Sequence, residues 1–374
     1  MIPVNRPVLD GNESKYLADC ISSGWISSEG PYVAKFEEQF AEKVERKFAI
    51  SVANGTAALD IAIEMLDLEH GDEVIMPAFT IISCVNQVIR CGAIPVLIDS
   101  DPDTWNMDTK KIEEKISNRT KAILVVHIYG LPVNMNEIEF VAKKYGIKVI
   151  EDAAEAHGLK FGDRACGSFG VCSTFSFYPN KLITTGEGGM IVTDDPDLDK
   201  RARMLRNLNF TEPRYVHDGI AWNYRMTNLQ AAVGVAQIER WDEFLKRKIN
   251  NGNRYHMLLS NLKELQLHPA KIENAINVYW VFGVLVRNGK SSSEVRRLLQ
   301  QKGVSSRSFF CPLHLQPGLV KKGLFAGETY PVAEMLWNYG LYLPSGVGIT
   351  DSEIDFSAAA LKTCLGIDTY EGHK

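Results

Sequence analysis

No two of the seven cysteines in this 374-residue chain form a Cys-x-x-Cys pair. Cys20, Cys84, Cys91, Cys166, Cys172, Cys311 and Cys364 are scattered and odd in number. That makes a poor framework for disulfides or for a thiolate metal site, and no His/Cys/Asp cluster has metal-ligand spacing. The cysteines read as small apolar residues, with Cys311, beside a prospective site loop, the candidate for a reactive thiol. Long apolar runs are also missing. The richest stretch, Ala122 to Val133, is broken by His127, Gly130 and Pro132, short of the roughly 18 residues of a membrane helix. The first residues, Met1 to Pro7, hold no apolar segment of signal-peptide length, so a cytoplasmic protein is expected. Charge of one sign is lacking as well. A net charge of −5 implies no broad cationic field, which argues against nucleic-acid and membrane-surface binding. There is no internal repeat or low-complexity segment, and the ordinary composition excludes disorder, collagen and coiled coil.

What is present is alternation. Apolar, β-rich runs occur at 73–77, 94–99, 121–128, 147–152, 172–178 and 189–193, with helical patterns between several of them. Leu59, Ala62, Ile63 and Leu66 mark one helix face, and 136–145 and 196–205 also read as helices. Short strands joined by helices imply a mainly parallel sheet covered on both faces. A long helix capped by Thr227 or Asn228 is expected to run to about Asn250. Its mixed-charge stretch Glu239–Lys248 reads as a solvated face. Beyond it come a strand over 278–286, a helix over 293–302 and a strand over 304–310. The length suits roughly two domains: a large one, 1–250, and a smaller α+β one, 251–374. Trp222 and Trp280 read as packing anchors, and His127 and His157 as core residues.

Three motifs carry chemistry. In Ser51–Leu59, small residues lead into a helix, whose first-turn N–H groups and dipole suit a phosphate. Gly55 permits close approach and Thr56 offers a hydroxyl. In Val149–His157, a strand ends in Glu151 and Asp152, with Glu155 about a turn further on. Open α/β sheets bind ligands at such carboxyl ends. In Ser173–Lys181, a strand delivers Lys181 into a turn that continues as Thr184-Thr185-Gly186-Glu187-Gly188-Gly189. A buried lysine there is an amine nucleophile, and Ser176 or Tyr178 on the same face could help hold a phosphate. Singly, each also reads as a helix cap, a solvated acid or a surface lysine. In this order they read as a pyridoxal 5′-phosphate site: a turn for the phosphate, Asp152 for the pyridine nitrogen, and Lys181 to hold the cofactor and move protons.

The blocks Asn54–Leu59, Glu151–Ala156 and Thr184–Gly189, within a match from about Ile2 to Ile367, resemble the DegT/DnrJ/EryC1/StrS sugar aminotransferases. The resemblance implies fold type I, an α/β large domain with a mainly parallel seven-stranded sheet plus the smaller C-terminal domain. It makes Lys181 the cofactor-bearing lysine and proton shuttle, and Asp152 the partner of the pyridine nitrogen. Glu155 falls near the cofactor hydroxyl, and Gly55, Thr56, Ala57 and Ser176 at the phosphate. Asn223 is implied to reach the phosphate of a neighbouring subunit, hence a homodimer with shared sites. Tyr178, Arg225, Arg307 and His314 are placed near substrate. The implied reaction moves the amino group of L-glutamate, through pyridoxamine 5′-phosphate, to C4 of a nucleotide-linked 4-keto-6-deoxy sugar. Amination at C3, dehydration at C3 and a non-catalytic regulator are the competing readings. A dehydratase branch carries His where Lys181 stands. One departure concerns Ile81, where the family usually has an aromatic residue that stacks on the cofactor. Phe79 or aliphatic packing is expected to take that role.

Overall fold

The computed structural model describes residues 1–213 and 215–367. Its central sheet has seven strands: β1 (Phe48–Val52), β2 (Glu73–Pro77), β3 (Ile94–Ile98), β4 (Thr120–Val126), β5 (Lys148–Asp152), β6 (Cys172–Ser176) and β7 (Gly189–Thr193). They lie in the order β1-β7-β6-β5-β4-β2-β3. β7 runs antiparallel to both of its neighbours, while the other pairings are parallel. β2 and β7 are buried at every position, because apolar layers cover both faces. Side-chain alternation sends Leu124 and Ile150 into one core and Ile123, Val125 and Val149 into the other.

The helices of two turns or more are α1 (Glu13–Ser23), α2 (Pro31–Lys43), α3 (Gly55–Glu64), α4 (Ser83–Arg90), α5 (Met135–Tyr145), α6 (Pro196–Arg206), α7 (Asn228–Ile238), α8 (Trp241–Leu259), α9 (Ser292–Gln301), α10 (Pro331–Tyr339) and α11 (Asp351–Leu365). The C-terminal unit is built on β8 (Leu265–Leu267), β9 (Phe282–Val286), β10 (Arg307–Ser308) and β11 (Gly340–Leu343). This antiparallel sheet has the order β8-β9-β11-β10.

Three expectations are corrected. The helix capped by Thr227 has its capping box with Gln230 but stops at Ile238, and α8 begins afresh at Trp241. The Arg240 N–H turns back to the Gln237 carbonyl at 3.0 Å, and the Arg240 guanidinium ties Asp10 to Glu243 across the break. The position 250 therefore falls inside α8, and the chain's first residues join the C-terminal unit through a bridge from Ile2 to Val304. The stretch to Lys248 is not wholly solvated. Lys248 is buried, and its ammonium donates to the carbonyls of Trp280 and Ser345. The strands expected over 278–286 and 304–310 shorten to β9 and β10. Segment 278–281 lacks ladder pairing, and the Tyr279 N–H goes to the Asn277 side chain instead.

Glu151 shows how the sheet end is fixed. It is fully buried, and its carboxylate accepts N–H groups from Gly167, Phe169 and Gly170, the Ser173 hydroxyl, and His127 Nε2 at 3.0 Å. The Val133 N–H donates to His127 Nδ1, which leaves Nε2 to donate to the acid. Burial alone would raise the Glu151 pKa. The hydrogen bond from His127, with the Gly167 and Gly170 N–H groups, brings it down to about 2. A depressed acid stabilises the fold above its unfolded pKa and loses that contribution as pH falls through the folded value. Glu151→Gln is therefore expected to cost about 3 kcal/mol at neutral pH. Urea midpoints should show the gap to wild type closing as pH falls from about 4.5 to about 2.

Candidate active site

The carboxyl ends of β4, β5 and β6, the start of α3 and the turn after β6 enclose a cavity of about 820 Å³. Asn54 caps α3, its side chain accepting the Ala57 N–H at 2.9 Å. The first-turn N–H groups of Gly55 and Thr56 have no acceptor within the helix and suit an anion. Ala57 contributes its small side chain to the wall, its N–H being taken by the cap. A Cβ on Gly55 would lie 2.9 Å from the Ser176 Cβ. Only glycine lets α3 sit this close to the end of β6, and that approach brings the Ser176 hydroxyl to the phosphate turn.

Asp152 ends β5 almost fully buried. Its Oδ1 accepts the Ala154 N–H at 3.0 Å, and its Oδ2 accepts the Cys84 thiol at 3.1 Å. Burial holds Cys84 well above the usual thiol pKa, so it stays a donor. Beside Asp152, Glu155 accepts the Tyr129 N–H at 2.8 Å. Burial pushes Glu155 up to about 8 against the opposing charge of Lys181. Burial likewise lowers Lys181, while Glu155 and Asp152 resist. Burial thus presses both groups toward their neutral forms, while the attraction between their charges opposes it. The lysine reaches the cavity from a turn clamped on two sides. Asn5 Nδ2 donates to the Pro179 carbonyl at 2.6 Å and Trp280 Nε1 to the Asn180 carbonyl at 3.0 Å. The Lys181 ammonium lies 4.0 Å from the centre of the Trp280 ring. Gly189 serves close packing: a Cβ there would lie 2.4 Å from the Asn54 carbonyl oxygen.

Gly55, Thr56, Ala57, Asp152, Glu155, Ser176, Tyr178, Lys181 and Arg307 all line this cavity. Three other sequence candidates do not. Asn223 is exposed and accepts from Arg225 Nε at 2.9 Å, and Arg225 also donates to Asn207. His314 is buried under Tyr330 and paired with Glu334 at 3.0 Å. His157 packs among Phe40, Phe175, Phe177 and Trp241, and burial lowers it to about 3, so it stays neutral. Phe79 lies wholly in an aromatic core with Tyr129, Phe309 and Phe310. It cannot stack in the cavity, where Ile81 forms part of the wall. Cys311 is half-buried with its pKa raised by burial, the opposite of an activated thiol. Sequence reasoning missed Cys84 and Asn180 and took Trp280 for a packing residue. Their polar contacts come from segments 68 to 100 residues away.

The donor set fits pyridoxal 5′-phosphate. An anion cradle, a deep carboxylate and a lysine share one cavity, and Thr174 Oγ1 on its wall is sealed without a hydrogen-bond partner in the protein. The strand order and this cavity place the chain among the pyridoxal phosphate-dependent aminotransferases. Its sequence matches the DegT/DnrJ/EryC1/StrS aminotransferase family over residues 7–362, and it belongs to that family. It is 42% identical over 354 residues to GDP-perosamine synthase of Escherichia coli O157:H7, covering 94% of this chain and 95% of that protein. It is also 42% identical to GDP-perosamine synthase of Caulobacter vibrioides, covering 97% and 98%. The aminotransferase TlmJ from Streptoalloteichus hindustanus is similar in structure, with a TM-score of 0.90 and 29% identity over 98% of this chain and 99% of that one.

Gly55→Ala forces α3 away from Ser176. We expect the dissociation constant for pyridoxal 5′-phosphate, read by absorbance titration, to rise at least tenfold. The urea midpoint of the apoprotein should change far less, because the clash opens toward the cavity.

Proposed function

We propose that the protein transfers the amino group of L-glutamate to C4 of a nucleotide-linked 4-keto-6-deoxy hexose, a GDP sugar being the first candidate. The observation that carries the chemistry is half-buried Lys181 sharing one cavity with Glu155 and Asp152, whose charges favour its protonated form against burial. The sugar assignment rests on the identity to the two GDP-perosamine synthases. Tyr178-Pro179 stand where many perosamine synthases have Phe-Gly, so a UDP- or dTDP-sugar 4-aminotransferase is the second reading.

Bound pyridoxal phosphate supplies the electron sink that lets a C–H bond beside nitrogen ionise. Gly55, Thr56 and Ser176 would hold its phosphate, and the Asp152 carboxylate would keep its ring nitrogen protonated. Lys181 Nζ would hold the cofactor between turnovers. It is then the base that takes the proton from Cα of glutamate. In the second half of the cycle it delivers a proton to C4 of the sugar. Glu155, within reach of the same charge, holds or releases the proton that balances Lys181. The Trp280 ring covers Lys181 and limits the paths open to water.

A homodimer agrees with the exposed position of Asn223, which does not line its own cavity. Ile220, 93% exposed, and half-exposed Val216 stand on the same segment, which supports burial against a second copy. A cytoplasmic location agrees with the absence of any membrane-length apolar helix among the described residues.

The test is a panel of GDP-, UDP- and dTDP-linked 4-keto sugars with glutamate, read by product mass and NMR. We expect amination at C4 of the GDP sugar. Products from UDP or dTDP sugars alone would move the assignment to the second reading. Purified protein loaded with cofactor should show the visible band of the lysine-bound form, lost on adding glutamate. Lys181→Ala should abolish both the band and turnover. A wild-type band indifferent to glutamate would sink the transaminase reading.

A further inference from the structure

A carboxylate as deeply buried as Asp152 needs donors to stay ionised. Among the described residues two donors reach it. The Ala154 N–H, two residues on, meets Oδ1 at 3.0 Å. The other comes from 68 residues away: the Cys84 thiol, in the first turn of α4, meets Oδ2 at 3.1 Å. Cys84 is 1% exposed and does not line the cofactor cavity, whereas its neighbours Thr80, Ile81 and Ser83 do. It stands behind Asp152, on the side away from the ligand space. Thr80 Oγ1 lies 3.4 Å from the sulfur. The single S–H proton is committed to Asp152, so the Thr80 hydroxyl donates to the sulfur, and Thr80, Cys84 and Asp152 form a directed chain. Burial first, then the Asp152 charge, hold the thiol well above its usual pKa, so Cys84 acts as a donor and not as a nucleophile. The helix that carries it packs against α3, whose first turn is the phosphate cradle. One helix pair therefore sets the spacing between the two ends of the cavity.

We propose that Cys84 is a positioning residue for the reaction, its thiol fixing the plane of the Asp152 carboxylate so that the acid meets the ring nitrogen of the cofactor. The inference rests on the aminotransferase reading above, with Asp152 as the partner of that nitrogen, and adds the residue that aims the acid. The torsion that turns an aspartate carboxylate is soft. A donor on Oδ1 alone holds one oxygen and leaves the plane free to swing. A second donor on Oδ2, from a different element, fixes the plane. The electron sink works only while the ring nitrogen keeps its proton, so a swinging acid weakens the sink without emptying the site. Ile81, from the same turn as Thr80, brings no aromatic face to the cavity. Alignment of a flat ring then falls more heavily on the partner of its nitrogen. The residue type follows from the span. A C–S bond is longer than a C–O bond, so sulfur reaches Oδ2 and remains in range of Thr80, where a serine hydroxyl falls short of one or the other.

The experiment compares the cofactor-loaded wild type with Cys84→Ala, Cys84→Val and Cys84→Ser. Valine keeps the volume and removes the donor, and serine keeps a donor on a shorter arm. Two readouts are taken. The NMR resonance of cofactor isotopically labelled at its ring nitrogen reports the proton on that atom directly. The glutamate half-reaction, without sugar, is followed by loss of the lysine-bound band. For Cys84→Val and Cys84→Ala alike we expect the nitrogen resonance to move toward its unprotonated position and the half-reaction to slow about tenfold, the size of one hydrogen bond to a charged group. Cys84→Ser should recover part of both. A role in packing alone predicts a different pattern, in which Cys84→Val matches wild type and only Cys84→Ala is impaired, and that pattern overturns the proposal. So does a nitrogen resonance unmoved in Cys84→Val. Should Cys84→Ala fail to fold, Cys84→Val and Cys84→Ser decide the matter between them. A wild type that ignores glutamate removes the transaminase reading itself, whereas a responsive wild type matched by Cys84→Val removes the role of Cys84 alone.

Discussion

The structure turns on one lysine kept in a cavity with two carboxylates. Burial disfavours charge on Lys181 and on Glu155, while their mutual attraction favours it. Opposed in this way, the two effects bring the lysine down from its ordinary range, which suits an amine that must be alternately nucleophile, base and acid. An exposed lysine would stay protonated at neutral pH. An isolated buried one would be neutral and could not return a proton.

That balance is held by distant parts of the chain. β5 fixes Asp152 at its carboxyl end, and below it the buried Glu151 draws the 167–170 loop and His127 against the sheet. The lysine turn is clamped from two sides, by Asn5 near the N-terminus and by Trp280 in the C-terminal unit. Lys248 secures the backbone at Trp280 from α8. The C-terminal unit and the first residues of the chain are therefore parts of the site.

Much of the fold was readable in advance because its signals are local. β2 and β7 lie where their apolar runs placed them, and Thr227 caps α7 through its own neighbour Gln230. Errors arose where tertiary contacts override local pattern. The charged run ending in Lys248 looks solvated by composition, yet two carbonyls from the C-terminal unit take its ammonium inside. The break at Arg240 has no glycine or proline to announce it. Its Arg240 side chain instead turns to Asp10 and Glu243, contacts that no local pattern records.

The site divides along the same line. By itself the sequence determined the cofactor chemistry, since a phosphate turn, a strand-end Asp152 and Lys181 each follow from residue type and immediate neighbours. The tertiary structure decided what surrounds them. Cys84 reaches Asp152, Trp280 covers Lys181, and Phe79 is withdrawn into an aromatic core. Such pairings depend on how strands and helices stack, and no short-range periodicity encodes which distant segments will meet.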